Sequence, residues 1–226
     1  MAQADKTYLN ELQKQWGYLA AWPPTAETRN LGDYGDVRQS NDFVWLGNIR
    51  KWVLPKASSR TTGSMYYVST GVRVFNADFG VADVTKQASV DIKITFEKKS
   101  SIFFLAQQTT TVTTQNLEQV GDRIVDIYKQ KGNDWKLSYV WNTEVVKADV
   151  LTVLIALKSG VSVTLSGRLP ISYQGVPVAN LDLRNFSVAK NASSVSFFHG
   201  AHATPLFRSY RVKDPITKKA YYTEYK

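Results

Sequence analysis

The sequence predicts an α+β protein in which helices cover part of a single, largely antiparallel and twisted sheet. Apolar and polar residues alternate with a period of two over much of the chain, and residues 116–131 carry a helical pattern with end signals. A second, shorter helical pattern covers residues 5–16. A β-rich chain of 226 residues often folds as one unit. We therefore predict a single domain over residues 1–226, with a short basic tail at 213–226 that we expect to be flexible.

The first element in chain order is the short amphipathic helix. Its apolar face is made by residues at helical spacing: Tyr8, Leu9, Leu12 and Trp16. Gly17 is placed to end it, since glycine commonly follows the last helical turn.

The first strand pair covers about residues 66–106 and holds the cleanest alternation in the chain. Its apolar positions are Val90, Ile92, Ile94 and Phe96. Polar residues such as Lys93 and Thr95 lie between them. This pattern predicts a strand with one face toward apolar surroundings and the other toward water. Lys98 and Lys99 then turn the chain, so we predict a hairpin.

Residues 116–131 form the second predicted helix. Asn116 is expected to cap its beginning, Gln119 is in the position of a capping-box partner, and Gly132 ends it. The apolar stripe consists of Leu117, Val120, Ile124, Ile127 and Tyr128. One helix between sheet segments is what places the chain in the α+β class.

The second strand pair covers about residues 137–167, where the period-two signal is strongest. An alternating stretch leads into a dense apolar run, residues 150–157, that includes Leu154. The tripeptide 158–160 then reads as a tight turn. A return strand follows with Val161, Val163 and Leu165 as its apolar positions. We predict a second hairpin here.

Charge and composition limit the function classes. The net charge is +9, and the segment from Lys190 to Lys226 has seven basic and two acidic residues. Such an excess favours binding to nucleic acid or to an anionic lipid surface. The chain has no cysteine, and its beginning lacks a signal-peptide pattern, so we expect a cytoplasmic, soluble form. The longest apolar run, about ten residues, matches a membrane-crossing strand and not a helix.

The sequence lacks a recognisable catalytic motif, so we predict that the protein is not an enzyme and binds no cofactor. It has no Gly-x-Ser-x-Gly elbow and no Gly-x-x-x-x-Gly-Lys phosphate loop. His199 and His202 could share a metal ion, but no third ligand is suggested nearby. Whether any metal or ligand binds near these histidines stays open.

The layout resembles the N-terminal, pore-forming domain of the gasdermins, especially the small bacterial ones. The resemblance rests on a starting helix in YLNELQKQWGY, a proline segment, a strand exit at Leu46-Gly47-Asn48-Ile49, and the long strand pair YVWNTEVVKADVLTVLIALKSGVSVTL. That pair resembles the second mobile hairpin of the family, and residues 66–106 would supply the first. Bacterial gasdermins commonly carry a lipid on an N-terminal cysteine, which this chain lacks.

The resemblance implies a function in bacterial defence and cell death. The protein would oligomerise with copies of itself on anionic lipid, after an activating protease acts, and its two convertible hairpins would join into a closed pore. Membrane-facing residues would be Val90, Ile92, Ile94, Phe96, Leu154, Val161, Val163 and Leu165. Lumen-facing residues would be Lys93, Thr95, Ser162 and Thr164. Candidates for the anionic surface are Lys98, Lys99, Arg208, Arg211, Lys213, Lys218 and Lys219.

A second function remains open on the same residues. The chain would then be a non-enzymatic, β-rich binding or assembly module whose basic C-terminal region holds a polyanion. We expect nucleic acid to be a less favoured partner than lipid, because strand length, alternation, charge and the resemblance together favour the first function.

Overall fold

The fold was analysed in a computed structural model, which describes residues 3–21, 29–37, 43–75, 78–83, 85–130, 134–189, 194–215 and 219–225. The described chain has two α-helices, α1 (Gln3–Trp16) and α2 (Leu117–Lys129). The strands are β1 (Leu19–Ala20), β2 (Asp33–Val37), β3 (Phe43–Asn48), β4 (Ala57–Val68), β5 (Val72–Val74), β6 (Asp78–Ala82), β7 (Gln87–Phe96), β8 (Ile102–Thr114), β9 (Tyr139–Ala156), β10 (Val161–Pro170), β11 (Ser187–Ala189), β12 (Val195–Lys213) and β13 (Tyr221–Glu224). This content confirms the predicted α+β class.

The strands form two sheets, so the prediction of a single sheet was wrong. The larger sheet has eight strands: β9 pairs with β12, β2 and β8; β3 pairs with β2; β1 and β13 pair with β12; and β4 pairs with β8. The smaller sheet contains β11, β10, β7, β5 and β6. Neighbouring strands, such as β7 with β10 and β12 with β13, run antiparallel.

The chain divides into two compact units, each built from three segments. Unit 1 consists of residues 1–8, 63–109 and 148–203, and unit 2 of residues 9–62, 110–147 and 204–226. Strands β4, β8, β9 and β12 contribute residues to both units. Within the predicted tail, residues Tyr221–Glu224 form β13 against β12.

Unit 1 has an aliphatic core between two layers of sheet. One layer supplies alternate residues of β7 and β10, and the other supplies residues of β8 and β9, including Phe103, Leu105 and Leu154. The segment between β10 and β11 adds Leu181, Leu183 and Phe186 to the same core. The period-two alternation explains this arrangement, because it gives each strand one apolar face to bury.

Unit 2 has an aromatic core beneath α2. Trp135, Trp141 and Tyr34 are buried there, and the apolar stripe of α2 packs on them through Val120, Ile124 and Ile127. The helix runs from 117 to 129, close to the predicted 116–131, and α1 begins two residues before the predicted 5–16. Gly17 follows α1 at φ 70°, and its N–H donates to the Gln13 carbonyl at 2.7 Å.

Asn116 lies at the N-cap position of α2, as predicted, but its side chain does not cap the helix. Its Oδ1 accepts from the Lys56 N–H at 2.7 Å, and its Nδ2 donates to the Leu54 carbonyl at 3.2 Å and to Gln119 Oε1 at 2.9 Å. The side chain therefore ties the beginning of α2 to the chain entering β4. Gln119 does contact Asn116, but through the two side chains and not through the main-chain N–H that a capping box uses.

Candidate functional site

The two predicted hairpins are not hairpins in this structure. β7 and β8 follow one another in the chain but lie in different sheets, and the same is true of β9 and β10. Each pair is a β-arch, in which the connecting turn carries the chain from one sheet to the other. β7 pairs with β10 in one sheet, and β8 pairs with β9 in the other. The predicted strands are therefore present, and their predicted pairing was wrong.

β7 and β10 form an antiparallel ladder that uses all ten residues of each strand. The register runs from Val161 opposite Phe96 to Pro170 opposite Gln87. Along β7, exposed and buried side chains alternate over almost the whole strand. Apolar partners, such as Ile94 and Val163, share the inner face, and polar partners, such as Lys93 and Thr164, share the outer one.

The structure brings all eight predicted membrane-facing residues into the core of unit 1. The cluster contains Val90, Ile92, Ile94, Phe96, Leu154, Val163 and Leu165 as buried members, with Val161 packed against them at partial exposure. In this state they face other hydrocarbon side chains. Reaching lipid would require the two sheets of unit 1 to separate, so their membrane-facing role stays a prediction.

The predicted lumen-facing residues lie on the outer face of the smaller sheet. Lys93 is exposed and lies opposite Thr164, while the hydroxyl oxygens of Thr95 and Ser162 are 3.1 Å apart. Short hydroxyl side chains thus form a polar row across the ladder. Lys93 is exposed and the hydroxyl residues are partly exposed, which agrees with the water-facing side that the alternation predicts.

The two arch turns lie side by side and carry lysines. The Ser100 N–H donates to the Ala156 carbonyl at 2.8 Å, and the Gly160 N–H donates to the Phe96 carbonyl at 2.8 Å. Lys98, Lys99 and Lys158 are all exposed at this end of unit 1. We call these three residues the lysine tip.

Lys158 was missed by the sequence reading, which used residues 158–160 only as a turn signal. The signal was present, because Lys158 follows an apolar run just as Lys98 and Lys99 follow Phe96. The one carboxylate in the first turn, Glu97, is 2.5 Å from Arg73 Nε, so it is neutralised from outside the tip. The tip is therefore locally cationic.

The other basic candidates lie in unit 2 and are partly engaged. Arg208 Nε is 3.9 Å from Glu144 Oε1, and its guanidinium lies 4.3 Å from the centre of the Tyr18 ring. The Arg211 guanidinium lies 5.1 Å from the centre of the Tyr225 ring. Lys213 and Lys219 are exposed, and Lys218 lies outside the described residues. The sequence-predicted basic set is thus divided between the two units.

His199 is held by a threonine. Its Nδ1 is 2.8 Å from Thr152 Oγ1, and burial lowers the pKa of the imidazole. Within the part of the chain that the structure describes, no group of three or more histidine, cysteine or carboxylate side chains could hold a metal ion. None of the described helices is both long and apolar enough to cross a membrane.

Comparison with protein-family models gives no match, and comparison with curated proteins gives no significant one. The resemblance to the gasdermins therefore stays a prediction that rests on the residues quoted for it.

Proposed function

We propose that this protein is a membrane-active pore former that oligomerises on anionic lipid by opening its two β-arches. The observation that carries the proposal is the β7–β10 ladder: ten residues in each strand, one apolar and one polar face, and a cationic tip at one end. Roughly 9–11 residues cross a bilayer as a tilted strand. Strands that line a membrane pore alternate apolar and polar side chains in this way.

The topology of the arches supports a rearrangement in which several strands change partners. If β7 and β10 leave each other and their other partners β5, β6 and β11, and replace β4 beside β8 and β12 beside β9, each arch becomes a hairpin, and the strand order becomes β7-β8-β9-β10. The two outer strands then have free edges. β10 of one protomer can pair with β7 of the next, which replaces the ladder that was lost. Repeated around a closed ring, this pairing satisfies every backbone group in lipid.

The chemistry of the core supports the same step. The buried members of the unit 1 cluster are all hydrocarbon side chains, so moving them onto acyl chains breaks no side-chain hydrogen bond. Acyl chains are about as apolar as leucine, which makes the exchange between core and lipid close to neutral in hydrophobic free energy. The lost contacts are replaced by contacts with lipid and neighbouring protomers.

The lysine tip gives the first contact with the membrane. A lysine near an anionic surface contributes about 1 kcal/mol of binding at physiological ionic strength. Three lysines on adjacent turns place this attraction at the end of the strands that would insert. The lysine tip would bind the membrane surface first, and the strands of the two arches would insert afterwards.

The first test is dye leakage from vesicles of phosphatidylcholine alone and with phosphatidylserine. We expect the full chain, before or after limited proteolysis, to release dye only when the anionic lipid is present. Lys98→Gln with Lys158→Gln should raise the protein concentration for half-maximal leakage by at least about tenfold. Lys86→Gln, an exposed lysine of unit 1 away from the tip, is the matched control. No leakage under any of these conditions would reject the proposal.

The second test asks whether β7 and β10 must separate. Because the native chain has no cysteine, Thr95→Cys with Ser162→Cys introduces one disulfide across the ladder, where the native hydroxyl oxygens are 3.1 Å apart. We expect the oxidised protein not to leak and the reduced protein to recover. Asp36→Cys with Val44→Cys makes the same chemistry between paired residues of β2 and β3 in unit 2, and should leave leakage unchanged. Leakage by the oxidised 95–162 variant would contradict the rearrangement.

The charge of unit 2 favours the second candidate, a polyanion-binding module. By sequence, unit 2 has 18 basic and 12 acidic residues, which is most of the net charge. Retention on a heparin column that is lost at moderate salt, together with no response to lipid, would support this function over the pore.

A further inference from the structure

Unit 1 also contains a polar cleft that neither proposed function uses. It has a volume of about 620 Å³ and lies at the end of the β7–β10 ladder away from the lysine tip. Its lining comes from Gln87, Ser89, Ser166, Gly167, Arg168, Leu169, Pro170, Tyr173, Asp182 and Asn185. This volume lies within the range of small-molecule sites.

The floor of the cleft is the outer face of the ladder. Ser89 lies opposite Arg168, and Gln87 lies opposite Pro170. These positions alternate with the buried Ala88 and Leu169, so the strand periodicity aims the polar side chains outward. A rigid two-stranded ladder therefore fixes the spacing of these groups.

The wall of the cleft comes from the segment that follows β10. A buried glutamine of β8 holds this segment in place through two hydrogen bonds. The buried side chain of Gln107 donates from Nε2 to the Leu181 carbonyl and accepts the Leu183 N–H at 3.0 Å through Oε1. These two bonds flank Asp182. The Asp182 carboxylate is gripped by Arg184, whose Nε lies 3.0 and 2.9 Å from its two oxygens, and this contact lowers the pKa of Asp182. The carboxylate is thus ionised and fixed in direction.

Several lining groups have hydrogen-bonding capacity to offer. Within the described chain, the side-chain amides of Gln87 and Asn185 make no hydrogen bond, and both residues are exposed. The charges of the cleft cancel in pairs, since Arg168 lies 3.5 Å from Asp83 and Arg184 holds Asp182. A strongly charged ligand gains little from such a neutral site.

We propose that this cleft binds a neutral carbohydrate. Sugar hydroxyls donate and accept at short spacing, and amide, guanidinium and carboxylate groups can each bond two neighbouring hydroxyls. The ring of Tyr173, half-buried beside Leu169 and Pro170, offers an apolar surface for the C–H face of a sugar. The lining offers polar and apolar surface in similar measure, which suits a sugar, with its hydroxyls and C–H face, better than an acyl chain. The floor of the cleft is the β7–β10 ladder, so the site belongs to the form in which these strands are paired, and sugar binding is tested without lipid, separately from leakage.

The test is saturation-transfer NMR on the full chain with methyl glycosides of glucose, galactose, mannose and N-acetylglucosamine, and with cellobiose and chitobiose. We expect at least one of them to bind with a dissociation constant on the order of 1 mM or tighter. Arg168→Ala and Asn185→Ala should each weaken that binding about tenfold, the loss expected for hydrogen bonds of this kind.

Arg73→Ala is the matched control, because Arg73 is an exposed arginine of the same sheet that forms its own ion pair, with Glu97, outside the cleft. It should bind as the unaltered protein does. Thermal unfolding would verify that each variant is folded. If one of the two cleft variants does not fold, the other still tests the proposal. Absence of saturation transfer for every sugar at about 50 mM, or binding that both cleft variants leave unchanged, would overturn the proposal.

Discussion

The two units bury apolar surface by different means. The core of unit 1 is built from aliphatic side chains and phenylalanine on alternating strands. Unit 2 has one cluster of aliphatic residues and phenylalanine, but its core beneath α2 is built around tryptophan and tyrosine. Trp135 and Trp141 are in edge-to-face contact there at 5.7 Å, and Tyr34 lies 5.4 Å from Trp135. Lys51 adds a cation at the rim of this core, 3.8 Å from the centre of the Trp52 ring and 3.0 Å from the Tyr34 hydroxyl.

The aliphatic core of unit 1 could be transferred to another apolar medium, whereas the aromatic core of unit 2 depends on the orientation of its rings. Hydrocarbon burial is non-directional and scales with area, so another apolar medium can replace it. Aromatic pairs depend on ring orientation, and the polar ends of tyrosine require partners. If unit 1 rearranges as proposed, we therefore expect unit 2 to keep its shape. The following predictions test that contrast.

The largest effect is expected from Trp141→Ala in unit 2. Trp141 is fully buried and contacts Trp135, Tyr210 and Tyr222. Its loss should lower the free energy of unfolding by about 3–5 kcal/mol, because the rings around it cannot close the cavity. Urea unfolding followed by fluorescence of the remaining tryptophans measures this. Tyr221→Ala, at an exposed aromatic in the same unit, should change it by less than about 0.5 kcal/mol. Equal effects would show that the cluster is not a cooperative core.

A smaller and more graded response is expected at Ile94 in unit 1. Ile94 is fully buried in the aliphatic cluster, and Ile94→Ala should cost about 2–5 kcal/mol of unfolding free energy. Ile94→Leu keeps the volume and should cost less than about 1.5 kcal/mol, since such a core tolerates changes of shape. The pair is compared by denaturant midpoints. A leucine variant as unstable as the alanine variant would mean that this core is as geometry-dependent as that of unit 2.

The alternation in β7 shows what the sequence could predict. Val90, Ile92, Ile94 and Phe96 are buried as expected, because a period of two is a local property that any partner sheet must respect. The partner itself was not predictable. Ladder hydrogen bonds are made by main-chain groups that all residues share, so the turn at 158–160 reads the same whether it closes a hairpin or an arch.

Contacts between distant parts of the chain were equally hidden. Tyr222 packs against Gly121, about a hundred residues earlier, and nothing local marks either residue for this role. The lysine tip arises in the same way, because two turns 60 residues apart become neighbours only through the arches. The cleft needed the fold as well, since its wall is fixed by Gln107.

A close approach in unit 2 predicts an effect of intermediate size. A Cβ on Gly121 would lie 2.5 Å from the Tyr222 ring, which is itself packed against Trp141 and Tyr210. Alanine favours a helix interior over glycine by about 1 kcal/mol, but overpacking costs about 1–3 kcal/mol, so we expect Gly121→Ala to destabilise the protein. Thermal unfolding measures the sign. Adding Tyr222→Ala should make the alanine at 121 favourable, and a stabilising single variant would contradict a rigid aromatic core.

The smallest effect concerns a polar contact of unit 2 and appears only in alkali. The Tyr18 hydroxyl donates to Glu144 Oε1, and Glu144 Oε2 accepts from Thr113 at 3.3 Å. Burial, followed by this hydrogen bond and the carboxylate charge, raises the pKa of Tyr18 to about 12. Above pH 10 the unfolded chain releases this proton first, so the stability that the contact supplies is complete below pH 10 and is lost as the pH rises toward 12.

The free energy of unfolding should therefore decrease less steeply between about pH 10 and about pH 12 in Tyr18→Phe than in the unaltered protein. Other buried tyrosines should account for the decrease that remains. Urea midpoints across that range measure the slope, with Tyr221→Phe, at an exposed tyrosine, as the control. An unchanged slope in the Tyr18 variant would mean that the hydroxyl is free to ionise in the folded protein. The stability of unit 2 would then come from the packing of its aromatic rings and not from this hydrogen bond. The two units would differ only in how their apolar side chains pack.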